Sequence, residues 1–152
     1  MTEPITFTVI GLPQPAGSKR AFPFKRRDGK LGVAVSDNNP KAKDWKQAVA
    51  SAAHAAHNGS GLLDGPLEVK MLFFLPRPKG HYRTGRNAGT LRESAPLFPT
   101  GRPDTQKLAR GTTDALTKVI WRDDSQIVKE VLQKHYGEPA RCEITITPLE
   151  PT

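Results

Sequence analysis

The chain has 152 residues, of which 36% are hydrophobic and 25% charged, a balance typical of a globular protein with one core. No apolar run approaches the roughly 20 residues of a membrane span, and the first residues lack the basic start and apolar run of a signal peptide. The net charge of +8 favours a polyanionic partner, and without a long basic amphipathic helix we expect nucleic acid rather than a membrane.

Cysteine and histidine usage excludes an internal disulfide and gives no zinc-binding spacing. Cys142 is the single cysteine. It is predicted to be a small apolar strand residue, with a catalytic thiol as the alternative, and a reducing cytoplasm fits this usage. His54 and His57 have a spacing compatible with a metal site, but no third ligand is evident, so we predict a structural or solvated role.

The N-terminal part of the chain predicts a strand followed by a basic hairpin. Residues Ile5 to Ile10 alternate in polarity, as a half-buried strand does. Asp28-Gly29 is a hairpin-turn signal, and Leu31 to Val35 is predicted as the returning strand. The basic residues of this stretch, which we predict to contact nucleic acid, are Lys19, Arg20, Lys25, Arg26, Arg27 and Lys30.

A helix and a central strand are predicted next. Asn38-Asn39-Pro40 indicates a helix start, with an asparagine as the cap and proline near the first turn. Apolar residues at helical spacing extend this helix from about Pro40 to His57, and Asn58-Gly59 ends it. Residues Leu67 to Leu75 alternate and then become fully apolar, which predicts a central strand.

Residues 76–101 are predicted to form a long, flexible, basic loop. They contain four prolines, four glycines and five basic residues, with only Glu93 opposing them. Loops of this length are uncommon in compact domains unless they are functional or disordered. We predict contact with DNA, with an ordinary flexible insertion as the alternative. The basic residues concerned are Arg77, Lys79, Arg83, Arg86 and Arg92.

The last third of the chain predicts a helix, a polar turn and two closing strands. Asp104 is expected to cap the helix, whose buried stripe consists of Leu108, Ala115, Leu116 and Val119. The turn is predicted over Trp121 to Ser125, and the strands over Gln126 to His135 and Arg141 to Thr147. We therefore predict an α/β (α+β) fold, with a single domain over residues 1–152 and a mixed sheet packed by two main helices.

Carboxylates lie at both ends of this second helix, although the chain is otherwise basic. Phosphates repel carboxylates, so the presence of acidic groups on a DNA-binding surface requires an explanation. A bound divalent cation is one explanation, because it takes oxygen ligands and bridges to phosphate. The alternative is local structure alone, with Asp104 as a helix cap and Asp123-Asp124 forming a turn.

The segment from Arg102 to Val128 resembles the core signature of the RusA family of Holliday junction resolvases. The resemblance implies a homodimer that resolves four-way DNA junctions by paired nicking in recombination and repair. It also implies Mg²⁺ or Mn²⁺ held by three aspartates, no small-molecule cofactor, and a phage or prophage origin in a bacterial host. The matching residues are Arg102-Pro103-Asp104, Lys107-Leu108, Asp114-Ala115-Leu116-Thr117 and Trp121 to Val128.

Carried over by position, the family's first and third metal ligands fall on Asp104 and Asp124, and the second falls on Gln106. A glutamine keeps a carbonyl oxygen for a hard cation but loses the negative charge and cannot act as a base. Asp123 is the better candidate to compensate, because Asp114 is expected to lie too far from Asp104 along the helix.

A second departure from the family concerns a lysine that assists catalysis, which falls on Arg110. Arginine keeps the positive charge and can stabilise charge on a phosphate, but it does not readily donate a proton. A plain phosphate anchor or solvated residue is the alternative for Arg110. Arg102 and Lys107, beside the first aspartate, are predicted to contact DNA.

Two functions of different class follow from this resemblance and from the two positions, Gln106 and Arg110, that depart from the family pattern. The first is a metal-dependent endodeoxyribonuclease. The alternative is a branched-DNA-binding protein of the same fold, in which Gln106 has weakened or abolished nuclease activity. A third hypothesis, a basic scaffold or RNA-binding protein, predicts no preference for four-way junctions over linear duplexes.

Overall fold

The computed structural model describes residues 3–17, 19–37, 39–59 and 61–151. Three single-turn 3-10 helices lie at Lys79–His81, Gly85–Asn87 and Asp124–Gln126. Two main helices and a mixed sheet confirm the predicted fold class. The other elements are β1 (Ile5–Ile10), β2 (Lys19–Lys25), β3 (Leu31–Asp37), α1 (Ala42–Ala56), β4 (Leu67–Leu75), α2 (Thr105–Leu116), β5 (Ile127–Tyr136) and β6 (Arg141–Pro148).

The main sheet has the strand order β1-β6-β4-β5, so the predicted central strand, β4, is an interior strand. It runs antiparallel to β6 and parallel to β5. The two closing strands therefore flank β4, and residues 137–140 cross its end. Gly137 donates its N–H to the Leu75 carbonyl at 3.0 Å. A Cβ at this glycine would lie 2.7 Å from Phe74 Cδ1, so the crossing requires glycine.

The core lies between the main sheet and the two helices. Trp121 belongs to it with no exposed surface, so the prediction of a polar turn was wrong at that residue. Its indole Nε1 donates to Thr117 Oγ1 at 3.2 Å. No helix within the described ranges has the length and apolarity of a membrane span. The other large core side chains include Trp45, Val49, Val69, Met71, Phe73, Leu108, Leu116, Ile144 and Ile146, together with Cys142, as predicted for that residue.

The start of α1 differs from the prediction of an asparagine cap. Lys41 occupies the cap position without a side-chain cap bond. Asn39 Oδ1 accepts from the Lys41 N–H at 3.2 Å, and Asn39 Nδ2 donates to the Pro15 carbonyl at 2.9 Å. Asn39 therefore ties α1 to the segment before β2 rather than capping the helix. Asn38, the other predicted cap, lies outside the described residues.

Strands β2 and β3 form a separate two-stranded sheet, which we call the hairpin arm (residues 19–37). Its turn contains Asp28-Gly29 as predicted. Gly29 has a φ of +83°, and Asp28 Oδ1 accepts from the Lys30 N–H at 2.9 Å. In the described part of the chain, the backbone of the arm makes no more than weak contacts with the other helices and strands. The arm is therefore an element separate from the main sheet and the two helices.

The predicted basic loop, residues 76–101, contains two of the single-turn helices and hydrogen bonds of its own. An isolated bridge joins Tyr82 to Leu91 across it. The Arg77 guanidinium lies 4.3 Å from the centre of the Tyr136 ring on β5, which fixes the start of the loop to the main sheet. The predicted flexibility of this loop stays a prediction.

Candidate active site

Asp104 caps helix α2, as the sequence predicts. Its Oδ1 accepts from the Lys107 N–H at 2.8 Å, which satisfies one of the free amides of the first turn. The second carboxylate oxygen has no hydrogen-bond partner in the described part of the chain. The cap therefore uses only half of the carboxylate, and the other oxygen is available to a ligand.

One face of α2 borders an open cleft of about 480 Å³ beside β5. Gln106, Arg110 and Asp114 are spaced four residues apart and so lie one above another on this face. Asp124 and Glu130 line the same cleft. All five residues are exposed. The structure thus brings three carboxylates, an amide and a guanidinium to one cleft, and these include three of the four predicted catalytic residues.

Asp104, the fourth predicted catalytic residue, borders a different cavity of about 470 Å³. Arg102 and Lys107 line this cavity with it, as do residues 15–17 at the base of the hairpin arm. The backbone N–H of Ala16 donates to the Lys107 carbonyl at 3.0 Å. The first turn of α2 therefore joins the two sites, with Asp104 in one cavity and Gln106 in the other.

Asp123 and Asp124 have different surroundings although they are adjacent. Asp123 Oδ1 accepts from the Ser125 N–H at 2.8 Å and caps the short 3-10 helix. This backbone hydrogen bond holds the pKa of Asp123 below its usual range. Asp124, and not Asp123, is among the residues that line the cleft. Asp123 as a metal ligand stays a prediction.

Gln126, part of the motif that resembles the RusA signature, holds in place the turn over residues 122–126, which we call the aspartate turn. Its Oε1 accepts from the N–H groups of Arg122 and Asp123, at 2.9 Å and 3.0 Å. Its Nε2 donates to the carbonyls of Leu63 and Gly65, both at 3.0 Å. A single side chain therefore fixes the turn against the segment before β4.

Asp114 forms an ion pair across the two helices, with its Oδ2 3.6 Å from Lys46 Nζ on α1. It lines the cleft with Gln106 but does not border the cavity that contains Asp104. Both ionic side chains are partly exposed, so this pair contributes little to stability. Asp114 therefore makes a contact between the two helices as well as lining the cleft.

Glu130 is a cleft residue that the sequence reasoning missed. It lies on β5 opposite Val69 of β4, whose side chain is fully buried on the helix side of the sheet. Glu130 therefore points towards α2, where partial desolvation of its carboxylate raises its pKa although the residue as a whole is exposed. The only signal in the sequence is a charged residue between Val128 and Leu132, at a position where an alternating strand would carry an apolar residue.

The predicted DNA-contacting residues lie on three surfaces. Arg92 is already engaged, because its Nε donates to the Tyr82 carbonyl at 3.0 Å, and Arg77 lies over Tyr136. Lys19 and Arg20 begin β2. The remaining residues, all exposed, are Lys25, Arg26, Arg27 and Lys30 near the tip of the hairpin arm, Lys79, Arg83 and Arg86 on the basic loop, and Arg102 and Lys107 beside Asp104.

The donor atoms near α2 suit a hard divalent cation. The described residues contain no group of three or more His, Cys, Asp or Glu side chains arranged to hold a metal ion. The carboxylates of Asp104 and Asp124 and the amide oxygen of Gln106 are nevertheless all oxygen donors. Mg²⁺ is commonly held by one or two carboxylates, with water and substrate phosphates as its other ligands. The oxygen donors present suit such a partly substrate-held ion by their chemistry, although Asp104 borders a different cavity from Gln106 and Asp124.

Comparisons with known proteins cover nearly the whole chain. The family model for endodeoxyribonuclease RusA matches residues 14–147, which include α2, the aspartate turn and every residue that lines the cleft. The chain is also 32% identical over 142 residues to "Uncharacterized protein YqaN" of Bacillus subtilis (strain 168). That match covers 93% of this chain and 94% of the relative. The protein therefore belongs to the RusA family of endodeoxyribonucleases.

Proposed function

We propose that this protein is a Mg²⁺- or Mn²⁺-dependent endodeoxyribonuclease that resolves four-way DNA junctions by paired nicks, in recombination and repair. The observation that carries the proposal is the family match over residues 14–147, which contains the complete cleft. The action would take place in the cytoplasm of a bacterial host, for a protein of phage or prophage origin.

Asp104, Gln106 and Asp124 are the residues that would hold the metal ion, with Asp123 as a further candidate. When bound, a divalent ion stabilises negative charge on the phosphate and lowers the pKa of a water molecule. Gln106 offers only a neutral carbonyl oxygen. We therefore expect weaker metal binding than three aspartates would give, since a carboxylate adds charge as well as a ligand atom.

Arg110 is proposed to stabilise the phosphate as negative charge develops on it. It is exposed on the cleft face of α2 and has no ion-pair partner within the described ranges, so its guanidinium is free to donate to phosphate oxygens. Arginine remains protonated at all working pH values. Its role is therefore electrostatic, without proton transfer.

The exposed basic residues of the hairpin arm and the basic loop are proposed to hold the junction arms. Arg102 and Lys107 would add phosphate contacts beside Asp104. Each contact that neutralises a phosphate releases condensed counterions, so binding by these residues weakens as salt rises.

A homodimer is proposed because paired nicks in opposed strands need two equivalent sites. A two-fold dimer places the same cleft twice in related orientations. The mass measured by sedimentation in solution should then be about twice the 16.6 kDa of one chain.

The test incubates purified protein with a labelled four-way junction and a linear duplex of the same sequence, with and without Mg²⁺ or Mn²⁺. We expect paired nicks near the crossover, only with metal and only in the junction. Asp104→Asn should abolish cutting. Asp44→Asn is the matched control, because it makes the same change on the exposed side of α1, and it should cut as the native chain does.

Two other results would support the other functions. Tight junction binding without cutting, with cutting gained by Gln106→Asp, would favour a branched-DNA-binding protein that has lost its nuclease. Equal binding to junction and duplex, without cutting, would contradict the proposal and leave a basic scaffold or RNA-binding protein.

A further inference from the structure

Lys134 on β5 has an unusual position for a lysine on an edge strand. It pairs in register with Phe73 of β4, whose side chain is fully buried, so Lys134 points to the helix side of the sheet. Its ammonium donates to the carbonyl of Gly101 at 2.8 Å and to that of Pro103 at 3.0 Å. The side chain therefore reaches the segment that leads into α2.

These two bonds are the hydrogen bonds that restrain that segment. Within residues 3–17, 19–37, 39–59 and 61–151, no other hydrogen bond involves residues 97–103. Asp104 follows directly and is fixed on its other side by the hydrogen bond that its Oδ1 accepts from the Lys107 N–H. Without Lys134, the chain entering Asp104 would be held only by packing.

The position of Lys134 is not one that the fold requires. Partly burying an ammonium group carries a desolvation cost, which two carbonyl partners only partly offset. An apolar side chain at this register would extend the surface around Phe73 instead. A lysine here therefore stabilises a particular arrangement of residues 101–103 rather than the core.

Side chains at the two ends of strand β5 thus hold the two segments that carry Asp104 and Asp124. Gln126, directly before the strand, fixes the turn that carries Asp124. Lys134, near the far end of the strand, fixes the segment that carries Asp104. The placement of one aspartate relative to the other is therefore set through a single strand.

We propose that Lys134 is a positioning residue that holds Asp104 in the orientation needed for metal binding and DNA cleavage. This inference rests on the proposed function, in which Asp104 is a metal ligand. Residues that orient metal ligands typically change metal affinity or activity about 10- to 100-fold when they are replaced. An effect of that size is expected here.

The experiment compares Lys134→Met, which removes the donors, with Lys134→Arg, which keeps donors and charge. Lys70→Met is the matched control, because Lys70 is an exposed lysine on β4 that pairs in register with Thr145 and Val131, away from both cavities. Three quantities are measured: Mn²⁺ affinity by calorimetry, junction affinity in metal-free buffer, and the cleavage rate at saturating junction.

We expect Lys134→Met to weaken Mn²⁺ binding and to slow cleavage, each about 10- to 100-fold, with junction affinity unchanged. Lys134→Arg should recover part of both losses, and Lys70→Met should match the native chain. If Lys134→Met does not fold, Lys134→Arg alone tests the inference. Arginine keeps the donors but has a different length, so this variant should fold and still lose Mn²⁺ affinity, by less than the loss expected for Lys134→Met.

Native Mn²⁺ affinity in Lys134→Met would overturn the inference. So would a loss of junction affinity in Lys134→Met, because Lys134 would then be a DNA contact. If the native chain cuts no junction, the proposed function fails separately. The Mn²⁺ affinities of Lys134→Met and Asp104→Asn then still decide whether Lys134 acts through Asp104.

Discussion

At the residue scale, Glu130 has a position that opposes stability. Because burial raises its pKa, the folded protein disfavours the charged carboxylate relative to the unfolded chain. When a carboxyl group has a higher pKa in the folded protein than in the unfolded chain, its contribution to the free energy of unfolding is full at pH values below the unfolded-state pKa. That contribution is lost as the pH rises through the folded-state pKa. The ionised Glu130 is therefore a cost that the native protein carries at neutral pH.

Replacing Glu130 with glutamine should accordingly increase the free energy of unfolding at about pH 7 and leave it nearly unchanged at about pH 4. Urea unfolding at the two pH values measures the difference. Glu138→Gln, in the exposed turn after β5, removes the same charge and separates the local effect from that of net charge. A Glu130→Gln protein that is less stable at neutral pH would show that the carboxylate makes a favourable contact.

The sequence predicted the role of Asp104 as a cap but not the positions of Glu130 and Lys134. A capping aspartate is recognised from its neighbours in the chain, because the bond it accepts comes from three residues further on. Glu130 and Lys134 acquire their positions from the pairing of β5 with β4, to which the residues of β5 give no local clue.

At the element scale, a buried hydrogen bond joins the two helices. Trp45 Nε1 on α1 donates to Thr112 Oγ1 on α2 at 3.1 Å, and that hydroxyl donates to the Leu108 carbonyl at 2.9 Å. Thr112 has no exposed surface. The threonine thus satisfies an indole N–H that has no access to water.

Thr112→Val keeps the shape of the side chain but leaves the Trp45 N–H without a partner. An unsatisfied buried donor costs about 1–3 kcal/mol, so we expect a loss of that size in urea unfolding. Thr112→Ser keeps the hydroxyl and loses one methyl, and should cost about 1 kcal/mol through the small cavity. If the valine protein were as stable as the native one, this bond would contribute nothing net to the packing of α1 on α2.

The positions of most elements could be predicted from the sequence, but their order in the sheet could not. Alternating polarity identifies a strand and shows that one face is buried. It does not identify the neighbouring strand, and β5 and β6, though joined by residues 137–140, are separated by β4. The cleft depends on this order, because β5 is the strand that lies beside α2.

At the scale of the whole molecule, the charges are unevenly placed. Three carboxylates line the cleft beside α2, together with Arg110 and Lys129, whereas the hairpin arm and the basic loop carry mainly exposed lysines and arginines. The arm also begins at the cavity that contains Asp104, because residues 15–17 line that cavity. A polyanion held by the arm would therefore lie near Arg102 and Lys107, the basic residues that line this cavity with Asp104.

The salt dependence of junction binding tests this arrangement. If Arg26 and Arg27 at the tip of the arm each neutralise a phosphate, Arg26→Ala/Arg27→Ala should reduce the slope of log affinity against log salt by about 1.8, or 0.9 per contact. Lys43→Ala/Lys70→Ala removes the same charge from exposed positions on α1 and β4, and should leave the slope close to the native value. Binding is measured in metal-free buffer, so that cutting does not interfere. Equal slopes for the two double variants would mean that net charge, and not the arm, attracts the DNA.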